Sequence, residues 1–158
     1  MWYQRPRLRA FGAVMEVPNA LSLGRWYHIA VVDNGSEMTI YIDGNAEISV
    51  DSSSSKAINL GFYYNSPFAI GMSAADVRYF NGYVSEARVW KRALTPTELK
   101  NNQCYVDPTT AEGLIGYWRL DQVEDDGRTF ADLSGNGYHG KASSNPTWTG
   151  EIKCPVIE

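Results

Sequence analysis

The sequence of 158 residues lacks several features, and each absence excludes a class of protein. No apolar run approaches the ~18 residues that a membrane-spanning helix needs, so we predict no membrane insertion. Met1 is followed by polar and basic residues rather than by the apolar segment of a secretory signal. Basic residues are not in excess, because 14 Lys and Arg stand against 18 Asp and Glu and the net charge is -4. This balance argues against a phosphate-binding surface, and we predict no nucleic-acid partner.

Residue arrangements that perform nucleophilic catalysis are also missing. His28 lies in a predicted strand and His139 in a glycine-rich loop, and neither belongs to a recognisable group with Ser, Cys or Asp. Glu86 is the one carboxylate in a strongly predicted strand that can turn inward. Arg88 follows two residues later on the same face, which favours a structural ion pair over a catalytic acid. The sequence therefore gives no reason to predict an enzyme.

What the sequence does contain is the period-two alternation of β-strands. The segment from Trp26 to Val32 is rich in aromatic and β-branched residues, and a turn at Asp33 to Gly35 separates it from an alternating run at Met38 to Ile42. Asp43-Gly44 then reverses the chain. Further strands are predicted at Ala46 to Val50, Phe68 to Gly71, Gly82 to Trp90 and Leu114 to Leu120. We therefore predict an all-β, antiparallel fold.

One short helix is predicted after the Gly82 to Trp90 strand. Thr95 can accept the first free amides of the helix as an N-cap, and Glu98 completes a capping box. Pro96 suits the first helical turn, where no backbone donor is needed. The sequence thus predicts a strand that runs directly into a capped helix.

Length and organisation predict one domain over residues 1–158. A chain of this size should bury roughly 70% of its unfolded surface, so its core needs no disulfide scaffold. We find no internal repeat, low-complexity tract or second-domain boundary in the sequence.

Four segments, taken together, resemble one known family. In chain order they are GRWYHIAVVDNGSEMTIYIDG, FNGYVSEARVWKRALTPTELKNNQ, GLIGYWRLD and DLSGNGYHG. They resemble the laminin-G-like, concanavalin A-like jelly-roll modules of bacterial surface proteins, of the type found in Bacteroides. The resemblance covers most of the chain and implies an antiparallel jelly-roll β-sandwich with one short helix.

The resemblance also carries expectations about context. Members of this family usually sit in exported proteins and have further N-terminal strands. It therefore implies a fragment that lacks the N-terminal strands of the full module and belongs to a larger protein with other domains. The implied location is extracellular, at the cell surface or in the periplasm. Hydrolytic relatives of the laminarinase type carry carboxylates in an E-x-D-x-x-E pattern, which is absent from this sequence.

Aromatic residues are the best candidates for ligand contacts. Sugar rings present apolar C–H faces, so a binding site needs exposed aromatic side chains beside groups that hydrogen-bond hydroxyls. Aromatics make up 13% of the chain, with 10 Tyr and 5 Trp. Because loops between strands commonly carry recognition, we predict that Tyr63, Tyr64, Arg78 and Tyr79 bind the ligand. The alternative for each tyrosine is a half-buried packing role.

The loop from Asp132 to Gly140 is the candidate metal site. Asp132 and Asn136 offer side-chain oxygens, and the glycines between them allow carbonyl groups to turn toward an ion such as calcium. Related jelly-roll modules often hold a structural calcium near such loops. Two side-chain oxygens are fewer than the six to eight ligands that calcium takes. The alternative is an Asx-type turn in which Asp132 and Asn136 cap their own backbone.

Cys104 and Cys154 are the two cysteines of the chain, an even count in a sequence whose family is exported. A disulfide between them would tie down the C-terminal tail and contribute about 4 kcal/mol on the chain-entropy model. Two buried thiols are the alternative.

These observations predict a non-catalytic carbohydrate-binding or surface-recognition module of a larger exported protein. Its expected partner is a poly- or oligosaccharide, and it requires no cofactor, with structural calcium as the one candidate ion. The same fold also serves as a protein-adhesion module or a structural spacer, which is the alternative function. A glycoside hydrolase ranks third.

Overall fold

The computed structural model describes residues 5–10, 13–53, 68–73 and 78–147. Its strands are β1 (Arg7–Ala10), β2 (Ala13–Glu16), β3 (Ile29–Asp33), β4 (Glu37–Ile42), β5 (Asn45–Asp51), β6 (Met72–Ser73), β7 (Arg78–Tyr79), β8 (Glu86–Trp90), β9 (Leu114–Arg119), β10 (Thr129–Phe130) and β11 (Gly140–Lys141). The helix α1 (Pro96–Asn101) lies between β8 and β9. Every described strand pair is antiparallel. The predicted fold class, antiparallel β with one short helix, is confirmed.

The described residues fall into two compact units, which alternate along the chain. The first unit takes the described residues between 5 and 53 together with 92–106. The second takes the described residues between 68 and 91 together with 107–147. The organisation of residues 1–158 as one domain stays a prediction.

The core of the first unit lies on one face of the β3–β4–β5 sheet. Strand β4 is central, and its alternating residues Met38, Ile40 and Ile42 are all buried, as its period-two pattern predicts. Met15 and Val17, from β2 and the residues after it, complete this cluster. Each such burial stabilises the fold by about 1.5–3 kcal/mol. The sheet is therefore held by apolar contacts on a single face.

A tight turn joins β4 to β5. Asp43 and Gly44 both have positive φ, at 50° and 73°, which is the backbone of a type I′ turn. The Asp43 carboxylate accepts hydrogen bonds of 2.8 Å from the side chain of Arg25 and the backbone amide of His28. A Cβ at Gly44 would collide with the side chain of Lys100 in α1. Glycine is thus needed here for conformation and for space.

Helix α1 begins with the predicted capping box. The Thr95 side chain accepts from the backbone amide of Glu98, and the Glu98 carboxylate accepts from the backbone amide of Thr95. Glu98 also pairs with Arg92 at 2.6 Å. Arg92 and the hydrogen bonds from Thr95 lower the pKa of Glu98 to about 2. The carboxylate is thus ionised across the physiological range and satisfies the start of the helix.

Strands β8 and β9 form the longest described ladder of the second unit. In this ladder Glu86 lies opposite Arg119, and Arg88 lies opposite Tyr117. Tyr117 and Trp118 are buried, on opposite faces of β9. Strand β8 begins at Glu86 and not at the predicted Gly82. The paired strand β9 ends at Arg119, and one further hydrogen bond, from the amide of Leu120 to the carbonyl of Ser85 at 2.8 Å, follows the ladder on this side.

The predicted strand at Phe68 to Gly71 is wrong. Pairing begins directly after this segment, where Met72 lies opposite Tyr79 in the short β6–β7 hairpin. Gly71 has a φ of 77°, a left-handed conformation that ends an extended run. Its carbonyl accepts a 2.8 Å hydrogen bond from the amide of Phe80 and closes the hairpin. The strand therefore begins after Gly71, at Met72, and does not include the apolar residues before the glycine.

Candidate functional site

Tyr79 is the predicted ligand-binding side chain that the structure places most clearly. It lies on β7 and its side chain is 70% exposed, although an aromatic ring gains free energy from burial. Its cross-strand partner Met72 shares the same face of the hairpin and is also exposed. Arg78 precedes Tyr79 on β7, but its side chain lies outside the described residues. Tyr63 and Tyr64 also lie outside the described residues.

Other apolar side chains near Tyr79 in sequence are exposed as well. Among the side chains that the structure describes between residues 68 and 84, the large apolar ones that are exposed are Phe68, Ile70, Met72, Tyr79, Phe80, Tyr83 and Val84. Sequence reasoning missed Phe80 and Tyr83 because both fell in or beside a predicted strand, where an aromatic is expected to pack inward. The signal that could have found them is Asn81-Gly82, a turn sequence that leaves neighbouring residues outside a strand ladder.

The exposed ring of Phe68 packs against the ring of Trp118. The two rings are stacked, with centroids 5.7 Å apart and planes inclined by 27°. Trp118 is buried, and its indole N–H donates a 2.7 Å hydrogen bond to the carbonyl of Tyr138. A Cβ at Gly116 would collide with the Trp118 ring, so a glycine is required there. An exposed aromatic ring therefore rests on a fixed one, an arrangement that suits stacking against an apolar sugar face.

Asp132 and Asn136, the candidate metal ligands, are brought to the open edge of β9. The Asp132 carboxylate accepts hydrogen bonds of 2.9 Å from the amide of Tyr117, 2.9 Å from the amide of Ser134 and 3.0 Å from the amide of Tyr138. The side-chain amide of Asn136 donates 3.2 Å to the carbonyl of Ile115. In the described part of the chain, no strand pairs with this edge of β9. Asp132 and Asn136 instead satisfy the amide of Tyr117 and the carbonyl of Ile115.

The electrostatics of Asp132 follow from these bonds. Burial raises the pKa of this carboxyl, but hydrogen bonds from Tyr117, Ser134 and Tyr138 outweigh burial, and the pKa is lowered from its ordinary value. The hydroxyl of Ser134 also donates to the second carboxylate oxygen, at 2.9 Å. Both oxygens of Asp132 are thus occupied by protein donors.

This donor set does not fit calcium. A calcium ion takes six to eight oxygen ligands, whereas the oxygens of Asp132 face N–H and O–H groups. The side-chain nitrogen of Asn136 donates to the carbonyl of Ile115, so its amide is oriented by the backbone of β9. The described residues also hold no group of three or more His, Cys, Asp or Glu side chains placed to bind a metal. The described geometry of this loop is that of an Asx turn extended across a strand edge.

Glu86 forms the ion pair that its spacing with Arg88 predicts. The guanidinium of Arg88 lies 2.7 Å from the Glu86 carboxylate, and both side chains are nearly buried. The Tyr117 hydroxyl donates to the same carboxylate oxygen at 3.2 Å, and the Arg88 guanidinium lies over the Tyr117 ring. On the same face, Arg119 pairs with Asp121 at 2.7 Å. These charges neutralise one another, which is the behaviour of a structural network.

Cys104 is disulfide-bonded. The other cysteine of the chain, Cys154, lies outside the described residues. Separately, the helix of the described residues lacks the length and the apolar character of a membrane span.

Comparison with known proteins identifies the family. Residues 9–100 match the laminin G model of the concanavalin A-like lectin/glucanases superfamily. A crystal structure of a proposed carbohydrate binding protein from Bacteroides ovatus is 32% identical, with a TM-score of 0.63 over 85% of this chain and 41% of that chain. The chain therefore belongs to the concanavalin A-like lectin/glucanases superfamily, as its sequence motifs predict.

Two further results complete the comparison. A crystal structure of residues 221–444 of an S-layer domain-containing protein from Clostridium thermocellum is 29% identical, with a TM-score of 0.43 over 56% of this chain and 44% of that chain. No curated protein matches the sequence. The chain spans about two fifths of the length of the Bacteroides ovatus protein.

Proposed function

We propose that this chain is a non-catalytic carbohydrate-binding module of a larger exported protein, and that it binds sugar rings through exposed aromatic side chains of residues 68–84. The observation that carries the proposal is the exposure of Tyr79 on β7, beside the exposed Met72. An aromatic ring that remains in solvent on a strand can stack on an apolar sugar face. The similarity to a proposed carbohydrate binding protein, at 32% identity, supports the same ligand class.

The described carboxylates support a binding role over a hydrolytic one. Glycoside hydrolysis needs one carboxyl group as acid and a second as base or nucleophile, placed on either side of a scissile bond. Glu86 instead pairs with Arg88, and Asp121 with Arg119. Both carboxylate oxygens of Asp132 accept hydrogen bonds from backbone amides and a hydroxyl group. The superfamily includes glucanases, so turnover of a polysaccharide by the pure chain would overturn this part of the proposal.

We also propose an extracellular, cell-surface or periplasmic location. Support comes from the disulfide at Cys104, because disulfides persist in oxidising compartments and are rare in the cytosol. Calcium is not required for the proposed binding, since the aromatic residues need no ion to contact sugar and the Asp132 loop is filled by protein donors.

A glycan-array screen with and without calcium tests the function. We expect binding by the parent chain in both conditions and at least a tenfold loss of affinity for Tyr79→Ala, which corresponds to about 1.4 kcal/mol. Tyr105→Ala is the matched control, because Tyr105 is similarly exposed but belongs to the first unit. A second variant, Tyr63→Ala with Tyr64→Ala, tests the neighbouring predicted residues. Silence across the array from a folded chain would favour protein adhesion or a spacer role.

A further inference from the structure

The chain contains three Asn-Gly sequences, which begin at Asn34, Asn81 and Asn136. All three asparagines are exposed, and none of them lies in a strand or in the helix. Glycine has no Cβ, so no side chain crowds the backbone nitrogen that follows each asparagine. That nitrogen can attack the side-chain carbonyl carbon of the asparagine before it and release ammonia. The sequence pattern is the same at the three sites, but their hydrogen bonds differ.

Asn34 is held in the turn between β3 and β4. Its side-chain oxygen accepts hydrogen bonds of 2.9 Å from the amides of both Ser36 and Glu37. The amide of Gly35, which would be the attacking group, donates a 2.9 Å hydrogen bond to the carboxylate of Asp33. These bonds must open before the nitrogen of Gly35 can reach the side chain of Asn34. Both reacting groups of this site are therefore protected.

Asn136 is held against the edge of β9. Its side-chain nitrogen donates hydrogen bonds of 3.2 Å to the carbonyl of Ile115 and 3.1 Å to the hydroxyl of Ser134. The same carbonyl accepts a 3.1 Å hydrogen bond from the hydroxyl of Ser134, so the three residues contact one another. The nitrogen that would leave as ammonia is thus bonded to a strand that lies earlier in the chain.

Asn81 lies in the segment between β7 and β8. In the part of the chain that the structure describes, neither its side chain nor the amide of Gly82 makes a hydrogen bond. The backbone before Asn81 is paired through Phe80, whose amide donates a 2.8 Å hydrogen bond to the carbonyl of Gly71. No described hydrogen bond has to break before the nitrogen of Gly82 turns toward the side chain of Asn81.

We propose that Asn81 is a modification site, which converts spontaneously to aspartate and isoaspartate faster than Asn34 and Asn136 do in the folded chain. The backbone nitrogen of Gly82 loses its proton and forms a bond to Cγ of Asn81. The bond from Cγ to the side-chain nitrogen breaks, and ammonia leaves with that proton, so a succinimide ring remains. Water then opens the ring. Addition at Cγ leaves aspartate, and addition at the backbone carbonyl carbon leaves isoaspartate.

This modification changes both the charge and the backbone beside exposed aromatic side chains. Each event adds one carboxylate, which lowers the net charge of -4 by one unit. The ring of Phe80 lies close to Gly82, because a Cβ at this glycine would come within 2.8 Å of two ring atoms. Isoaspartate inserts a methylene group into the backbone of residue 81, so it moves the glycine relative to this ring. The inference does not depend on which ligand the aromatic side chains bind.

Peptide mapping of the aged chain tests the order of the three sites. Cleavage after Lys and Arg places Asn34, Asn81 and Asn136 in separate peptides, which are residues 26–56, 79–88 and 129–141. The folded 158-residue chain is kept at mildly alkaline pH, and mass spectrometry follows the conversion of amide to acid in each peptide. Because one hydrogen bond of ordinary net strength corresponds to about a fivefold change, we expect Asn81 to react at least about tenfold faster than the other two.

Two controls test whether the fold sets this order. In denaturant the three sites should react at similar rates, because the protecting hydrogen bonds of Asn34 and Asn136 are lost. Asn81→Gln should remove the modification from residues 79–88 and leave the other two rates unchanged, since glutamine would have to form a larger and less favourable ring. The inference is overturned if Asn34 or Asn136 reacts as fast as Asn81 in the folded chain, or if the preference for Asn81 persists in denaturant.

Discussion

The indole N–H of Trp118 donates a 2.7 Å hydrogen bond to the carbonyl oxygen of Tyr138, and the amide of the same Tyr138 donates to Asp132 at 3.0 Å. The backbone of Tyr138 is thus hydrogen-bonded at both its carbonyl and its amide, by Trp118 of β9 and by the buried carboxylate of Asp132. Trp118 also carries the exposed Phe68 on its ring. Trp118 therefore contacts both the loop, through Tyr138, and the exposed aromatic ring of Phe68.

Trp118→Phe should lower the free energy of unfolding by about 1–3 kcal/mol, because it leaves the carbonyl of Tyr138 without its donor and reduces the ring contact with Phe68. Urea denaturation followed by far-UV circular dichroism measures the change. Trp26→Phe, at a half-buried position of the first unit, is the control and should cost less. Equal losses for the two variants would contradict the role of the Tyr138 hydrogen bond.

Asp132→Asn should weaken the fold by about 1.5–3 kcal/mol at neutral pH, since several donors lose a charged acceptor. The pKa of Asp132 is lowered in the folded state, so its contribution is fully present above the unfolded value of about 3.9 and is lost as the pH falls through the folded value. The stability difference between parent and variant should therefore shrink on acidification.

Denaturation series between neutral and acidic pH check this dependence. Asp125→Asn is the matched control, because Asp125 is exposed and its replacement should leave the stability at neutral pH unchanged. A parent-to-variant difference at Asp132 that stays constant down to acid pH would show that the charge of the carboxylate is not what stabilises the loop.

Calcium should not raise the melting temperature of the chain. The oxygens of Asp132 are satisfied by protein donors, which leaves this carboxylate no free lone pair directed at an ion. Differential scanning calorimetry with millimolar calcium and with a chelator should give the same midpoint. A calcium-dependent increase that is lost in Asp132→Ala would establish the ion site that the sequence alone allows.

Gly44→Ala should destabilise the chain more than Gly127→Ala. Both glycines have positive φ, at 73° and 70°, so alanine costs about 1–2 kcal/mol of backbone strain at each. A Cβ at Gly44 also collides with Lys100, whereas a Cβ at Gly127 meets no atom within 4 Å. The difference between the two variants in thermal or urea unfolding measures the close approach of the turn to α1. Equal effects would mean that Lys100 moves aside without cost.

Local patterns predicted the parts of the fold whose causes are local. The β3–β4 hairpin follows from the turn chemistry of Asp33 to Gly35, and the start of α1 follows from Thr95 and Glu98, which bond each other within one turn. The strand at Phe68 to Gly71 was misplaced because Gly71 is left-handed and pairing with Tyr79 begins only at Met72. The period-two pattern of an apolar run does not reveal which of its residues find a partner strand.

The candidate site shows the same division. Tyr79 was predicted as a ligand contact because it was expected to lie in a loop before a strand, with a packing role as the alternative; it is exposed but lies on β7, and its role in binding stays a prediction. Asp132 was predicted either as a calcium ligand or as a turn residue, since carboxylate and glycine serve both. The choice depends on Tyr117, which lies on a strand earlier in the chain and donates to it. No local pattern around Asp132 contains that partner.

The alternation of the two units along the chain has a consequence for the order of folding. The sheet β3–β4–β5 is built from neighbours in sequence, so its formation requires the closure of short turns only. Pairing of β8 with β9 requires the closure of a longer connection. That connection includes the segment 92–106 of the first unit, within which α1 lies. We therefore expect amide protons of β4 to become protected from exchange early in refolding, and those of β9 to follow in a slower phase.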